Sequence, residues 1–189
     1  PMNAIEENEF VKGFRTAASS IRKPNAILCI SAHWLTKGTK VTAMSMPQTI
    51  HDFGGFPQTL FDVQYLAPGS PELAKEAQVL LAPTHVELDD AWGLDHGTWS
   101  ILKHFYPEAD IPVIQLSIDY GKPMQWHFDL AKQLQSLREK GVLIIGSGNI
   151  VHNLGRVDFG RINDIGYGYD WAMEARTYIN QHLVDGNFQ

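Results

Sequence analysis

Eight histidines are spread along 189 residues, and four of them stand in contexts that packing alone explains poorly. His33 and His152 each close a hydrophobic run, Ala26-Ile-Leu-Cys-Ile-Ser-Ala-His33 and Val142-Leu-Ile-Ile-Gly-Ser-Gly-Asn-Ile-Val-His152. Ligands of open α/β proteins bind beyond the carboxyl ends of buried strands, so both imidazoles stand where metal or proton chemistry is expected. His51 and His96 lie in loop-like segments rich in Gly, Asp and aromatic residues, Thr49-Ile-His51-Asp-Phe-Gly-Gly-Phe-Pro57 and Trp92-Gly-Leu-Asp-His96-Gly-Thr-Trp99. Neutral imidazole binds Zn, Fe and Cu, and near neutral pH it also gives and takes protons.

Each of these residues also has a plainer reading. His33 fits a metal ligand, or a hydrogen-bonded histidine at the edge of a sheet. The glycines of Gly146-Ser-Gly allow backbone to approach a ligand closely, and His152 beyond them suits a general base or a ligand. That segment lacks the Lys-Ser/Thr of a phosphate loop and the third glycine of a dinucleotide fingerprint. His96, between Asp95 and Gly97, fits a proton carrier in a cleft or a histidine opening a helix. An Asp95–His96 dyad does not follow from adjacency. His51 reads as part of a loop over a site, with Phe53 and Phe56 able to line an aryl pocket, or as a structural turn. His85, His104, His127 and His182 fall within strand or helix patterns and read as surface or packing residues. No Gly-x-Ser-x-Gly elbow, His-Glu-x-x-His helix or Cys-x-x-Cys pair occurs, which removes several common hydrolase and zinc motifs.

The elements that must position these side chains follow from periodicity. Glu6 to Ile21 has Phe10, Val11, Phe14 and Ala17 at helical spacing. Asn25 to Ser31, Ile111 to Ile118 and Val142 to Ile145 are continuous apolar runs of the kind that form strands buried on both faces. Lys40 to Met46 and Thr84 to Leu88 are further strand candidates. Helices are expected at Pro71 to Leu81 with Ser70 as N-cap and Pro83 as stop, at Gly97 to Phe105, and at Asp170 to Val184. Pro123 to Lys140 reads as one long helix, with proline in its first turn and Gly141 just past its end. Strands alternating with helices predict a three-layer α/β/α domain with a largely parallel, mixed sheet. The strand ends Ser31–His33, Ser117–Asp119 and Gly146–Asn149 then converge on one rim.

Composition narrows the partners. The chain carries 15 Lys+Arg against 21 Asp+Glu, with no basic cluster, which argues against a nucleic-acid or anionic-membrane partner. No apolar stretch approaches the roughly 18 residues of a membrane span. The lone Cys29 sits inside a strand pattern and reads as a buried, inert thiol, which fits a reducing cytoplasm. A single catalytic domain over 1–189 is expected. Because the chain opens on Pro1 and stops in Asp185-Gly-Asn-Phe-Gln189, it reads as truncated at both ends.

The four histidine segments, in this order, resemble the DOPA 4,5-dioxygenase type of class III extradiol ring-cleavage enzymes. Ala67-Pro-Gly-Ser-Pro71 and Ala109-Asp-Ile-Pro-Val-Ile-Gln-Leu-Ser117 fit the same family, and the likeness runs to about Leu154. The resemblance implies a non-haem Fe(II), for which Zn(II) can substitute, at the strand-end rim. It implies that a small catechol and O2 are the substrates. By the same resemblance His33 is a metal ligand. His152 is a pocket histidine that serves as acid/base or additional ligand, and His96 is a second pocket histidine that orients substrate or O2. His51 is assigned to the substrate side. The family's other ligands lie in an upstream His-Gly-Ser-Pro segment, of which Pro1 to Glu6 is the remainder, and near the C-terminus. These 189 residues alone are therefore expected to hold iron poorly. Two rivals stay open: a zinc-dependent hydrolase and a non-catalytic binding protein on the same scaffold.

Overall fold

The apolar run after Lys23-Pro24 forms the strand around which the first part of the chain is built. In the computed structural model, which describes residues 1–161, 164 and 166–187, the elements begin with α1 (Glu9–Ser19), β1 (Ala26–Ser31), β2 (Leu35–Thr36) and β3 (Thr39–Thr42). They continue with α2 (Gln58–Phe61), α3 (Pro71–Leu80), β4 (Val86–Asp89), α4 (His96–Phe105), β5 (Val113–Gln115) and β6 (Ile118–Asp119). The chain then forms α5 (Met124–Lys132), α6 (Gln135–Glu139), β7 (Val142–Ser147) and α7 (Asp170–Asp185). It divides into two compact units, Pro1–Gly148 and Asn149–Gln189.

In the first unit β1 is the middle strand of a parallel sheet ordered β5-β1-β7. Its partners run from Ile27↔Val113 on one side and from Ala26↔Val142 to Ser31↔Ser147 on the other. Strand alternation sets the layers. Ile27, Val113, Leu143 and Ile145 face the core formed with Leu60 of α2 and with Trp99 and Leu102 of α4. Leu28, Ile114, Val142 and Ile144 face the opposite core, with Leu73, Ala74 and Ala77 of α3, Leu130 of α5 and Leu137 of α6. Helices thus cover both faces of one parallel sheet, the three-layer α/β architecture expected from the alternation of elements. Truncating a central side chain such as Leu28 to alanine would cost about 2–5 kcal/mol at a site this enclosed.

Local signals mostly fall where the residue types put them. Ser70 caps α3 by accepting from the Leu73 N–H at 3.2 Å, and Gly141 adopts φ 79° just beyond α6. Two departures have physical causes. The helix expected over Pro123 to Lys140 divides at Gln133–Leu134, where successive i→i−3 bonds tighten the chain (Gln133 to Leu130, Leu134 to Ala131, Leu137 to Leu134). This keeps Leu130, Leu134 and Leu137 on the sheet-facing side. The strand expected over Ile111 to Ile118 also divides. Leu116 still donates to Cys29, but Ser117 turns to the Lys40 carbonyl and Ile118 to that of Trp34, so β6 pairs with β2 in a separate parallel ladder. β3 and β4 form a third parallel pair, and an antiparallel bridge joins Val41 to Leu116.

The second unit contains two short 3-10 turns, Leu154–Arg156 and Phe159–Arg161, and the helix α7. α7 stops at Gly186, whose φ of 64° is the left-handed geometry that glycine supplies at helix ends. Among the described residues no helix is long and apolar enough to cross a membrane.

Cys29 is buried at 1% exposure and accepts the Thr98 hydroxyl hydrogen at 3.3 Å. Burial pushes its thiol up to about 12, so the nucleophilic thiolate is scarce at pH 8. A thiol-reactive disulfide reagent at that pH should label the native protein negligibly and the guanidinium-unfolded protein fully. Rapid labelling of the native state would contradict this placement.

Candidate metal centre

The candidate site is assembled where β1 and β7 end and α4 begins. Ser31, the last residue of β1, is fully buried, and Ser147 at the end of β7 donates its hydroxyl to the Gly97 carbonyl at 2.5 Å. The first turn of α4 lies so close to these strand ends that only glycine fits at position 97. A Cβ there would overlap Ser31 Oγ and stand 3.1 Å from His33 Cδ2.

The start of α4 is pinned independently. Asp95 is its N-cap, accepting from the Thr98 N–H at 3.1 Å, a bond of a kind worth about 0.5–2 kcal/mol. The other oxygen of Asp95 accepts from Gln115 Nε2 at 2.8 Å and Trp92 Nε1 at 3.3 Å. Gln115 Oε1 in turn accepts the Asp95 backbone N–H at 3.0 Å. A wholly buried Gln and a wholly buried Asp satisfy one another, as interior polar groups must. Asp95 is therefore spent on the helix and on β5 and forms no dyad with its neighbour His96.

His96 faces a different carboxylate. Asp52 Oδ1 accepts the His96 backbone N–H at 2.8 Å and lies 2.9 Å from the ring Nδ1. Asp52 Oδ2 stands 3.5 Å from His33 Nδ1. The two imidazole rings are 3.9 Å apart between centroids, inclined at 53°. Side-chain exposure is 36% for His33, 15% for Asp52 and 10% for His96, so the cluster is open on the His33 side. Burial pushes the Asp52 carboxyl up, but hydrogen bonds and charge from His96 outweigh it and hold the group below its ordinary value.

Aromatic side chains wall the cluster. Phe53 meets the His96 ring edge-on at 5.4 Å and also contacts Phe56, Phe61 and Trp99 at 5.5, 5.0 and 6.2 Å. Trp99 Nε1 donates to the Ile50 carbonyl at 2.8 Å, and Ile50 N–H donates to Leu94 at 2.7 Å. These bonds fasten the loop carrying Asp52 and Phe53 to the segment that leads into α4.

His33 and His96, 63 positions apart in the chain, are thus brought together. His51 is not one of the clustered donors. Its Nε2 faces the Val63 carbonyl at 2.9 Å, while its ring packs at 5.7 Å from Phe53. His152 is exposed and belongs to the second unit. The expected rim segment Ser117–Asp119 is occupied elsewhere, Ser117 Oγ bonding Thr36 and the Lys40 N–H. Asp52 was not singled out from the sequence. The only local hint is an acidic residue in a Gly- and Phe-rich loop, because both of its partners are remote in the chain.

His33, Asp52 and His96 each offer a ligand atom, all within 4.8 Å of one another. Two imidazole nitrogens and a carboxylate oxygen suit a divalent transition metal such as iron or zinc. A further observation fits this role: the buried His96 Nδ1 has no aligned hydrogen-bond partner among the described residues, since Asp52 Oδ1 approaches it off the N–H direction.

Fold and donor set together define an α/β protein equipped for metal chemistry at its strand ends. The family described as the catalytic LigB subunit of aromatic ring-opening dioxygenase matches residues 2–185. A 4,5-DOPA dioxygenase extradiol of Escherichia coli (strain K12) is 48% identical over 185 residues, covering 97% of this chain and 67% of that protein. A protein of the same description from Beta vulgaris is 46% identical over 159 residues, covering 80% of this chain and 59% of its own length. A solved structure of an uncharacterized Escherichia coli K12 protein has a TM-score of 0.78 at 41% identity, covering 95% of this chain and 67% of that one. The chain belongs to the LigB family of extradiol, aromatic ring-opening dioxygenases, and spans about three-fifths to two-thirds of the length of these relatives. These relatives favour ring opening over the zinc-hydrolase reading.

The close approach at Gly97 gives a direct test of how the centre is built. Gly97→Ala should lower stability by about 1–3 kcal/mol, the usual cost of overpacking, and should displace His33. Denaturant unfolding measures the first effect and a crystal structure the second. An unchanged midpoint with an unmoved His33 would contradict the packing described.

Proposed function

We propose that this protein opens the ring of a small catechol with O2, using a divalent metal, Fe(II) in the working enzyme with Zn(II) able to substitute, held beside His33. The observation that carries this reading is the meeting of His33, Asp52 and His96 at the carboxyl ends of the parallel strands. Bound there, iron would supply the positive charge that favours a deprotonated catechol and the redox capacity that O2 needs.

The chain's own residues would share the remaining work. His33, the most exposed member of the cluster, would be a metal ligand. His96 would contact the substrate and carry protons, taking one from a catechol hydroxyl and returning one as the ring opens. His152 is proposed as a second acid/base or further ligand, on the strength of its Gly-Ser-Gly-Asn context. His51 would act on the substrate side by backing Phe53, whose ring offers an apolar wall for an aromatic diol and keeps water from one side of His96. Both oxygen atoms of O2 would enter the product, a muconic semialdehyde, so no outside reductant is needed. A reducing cytoplasm suits the single unpaired cysteine.

Anaerobic loading of the purified protein with Fe(II), followed by catechol and O2, tests the proposal. Oxygen uptake should run in step with a yellow ring-fission product and stop when iron is chelated. His96→Gln and His152→Ala should each lower kcat by about 100-fold or more, the scale of a general acid–base contribution. Full turnover in His152→Ala would remove that residue from the chemistry. Absence of O2 uptake in an iron-loaded sample with a range of catechols would return the scaffold to a non-catalytic role.

A further inference from the structure

Two indoles beside the metal donors have no part in the chemistry proposed above. Trp34 follows His33 directly and is buried at 3% exposure. Its ring lies parallel to that of Trp92, inclined by 3° with centroids 5.9 Å apart, the offset stacking that aromatic pairs prefer. Trp92 in turn donates its indole N–H to Asp95 Oδ2 at 3.3 Å. Asp95 directly precedes His96 and caps α4. The chain neighbour of one donor is thus joined to the chain neighbour of the other by one ring stack and one hydrogen bond, along a path that uses neither imidazole.

Both ends of that path are fixed. The Trp34 carbonyl accepts from the Ile118 N–H at 2.9 Å, and its own N–H donates to the Ser31 carbonyl at 3.2 Å. Trp92 donates its backbone N–H to Asp89 Oδ1 at 2.7 Å, and its carbonyl accepts from Gln48 Nε2 at 3.3 Å. Gln115 fixes Asp95 relative to the sheet, whereas Trp92 fixes it relative to the turn that carries His33. A Trp side chain has only two rotatable torsions, so a stacked pair holds its separation at low entropic cost.

We propose that Trp34 and Trp92 are positioning residues, a stacked brace that sets the spacing of the His33 and His96 rings. Groups that hold metal donors in place raise a site's affinity, so the spacing set by the brace governs how tightly a divalent ion is held. This inference deepens the ring-cleavage reading and rests on it only for what the spacing serves.

The brace can be tested without substrate or O2. Parallel indoles in contact give an exciton couplet in the far-ultraviolet circular dichroism, which the unmodified protein should show and Trp92→Phe should lack. In metal-free crystals of Trp92→Leu the two imidazole centroids should stand apart by more than about 0.5 Å beyond their 3.9 Å separation, past the tolerance of a preorganised site. Zn(II) titration of the folded variant should show affinity lowered by about 10–100-fold. Trp92→Phe, which keeps an aromatic face against Trp34, should recover part of that loss. Leu137→Ala, in the core on the opposite face of the sheet, should lower the unfolding midpoint yet leave Zn(II) affinity unchanged, which separates positioning from general loss of stability. A couplet that is absent, or that persists in Trp92→Phe, overturns the proposal even if Trp92→Leu fails to fold. Unmoved imidazoles in a folded Trp92→Leu overturn it too, as does an equal loss of affinity in Leu137→Ala. Failure of the brace leaves ring cleavage standing, whereas displaced rings in Trp92→Leu with no Zn(II) binding to the unmodified protein reject the metal reading alone.

Discussion

The arrangement depends on how closely the first turn of α4 packs against the ends of β1 and β7. Ser31, Gly97 and Ser147 are small enough for the strand ends and the helix start to touch, and the Ser147 hydroxyl closes the junction on the Gly97 carbonyl. His33 leaves the end of β1 and His96 opens α4, so the same contact that joins strand to helix brings the two imidazoles to 3.9 Å. The order β5-β1-β7 places this junction at the middle strand, where the chain has crossed from one side of β1 to the other. Such reversals open the crevice in which α/β proteins bind ligands.

Two carboxylates serve that one helix start and divide the labour. Asp95 is wholly buried and engaged by Thr98, Gln115 and Trp92, so it fixes where α4 begins. Asp52 is partly open and its two oxygens each approach one imidazole, so its charge remains available to the site. Exposure falls from His33 through Asp52 to His96. That gradient gives an open side at His33 and a sheltered side at His96, which Phe53 backs with Trp99 behind it. Hydrogen bonds from Trp99 to Ile50 and from Ile50 to Leu94 hold the wall in place.

Much of this was legible in the residues, for physical reasons that differ by element. β1 and β7 are apolar on both faces because helices cover both faces, so their runs are continuous and easy to place. Ser70 and Gly141 mark their helix ends through local chemistry that needs no tertiary partner. His33 was visible because it ends such a run, and His96 because Asp95 and Gly97 frame a helix start. β2 and α2 were missed, being too short to show a period. The division at Gln133–Leu134 leaves no trace in the sequence, because its i→i−3 bonds keep the leucine spacing intact. Asp52 leaves no such mark: its place in the cluster comes from His33 and His96, and no pattern local to residues 49–57 records that meeting. The same loop drew attention to His51, whose Nε2 is spent on the Val63 carbonyl.

Anomalous diffraction from crystals of the protein loaded with Zn(II) would locate the metal directly. The account predicts a single strong peak about 2.1 Å from an imidazole nitrogen of His33, beside the Asp52 carboxylate and the His96 ring. A metal bound elsewhere, with His33 unliganded, would contradict it.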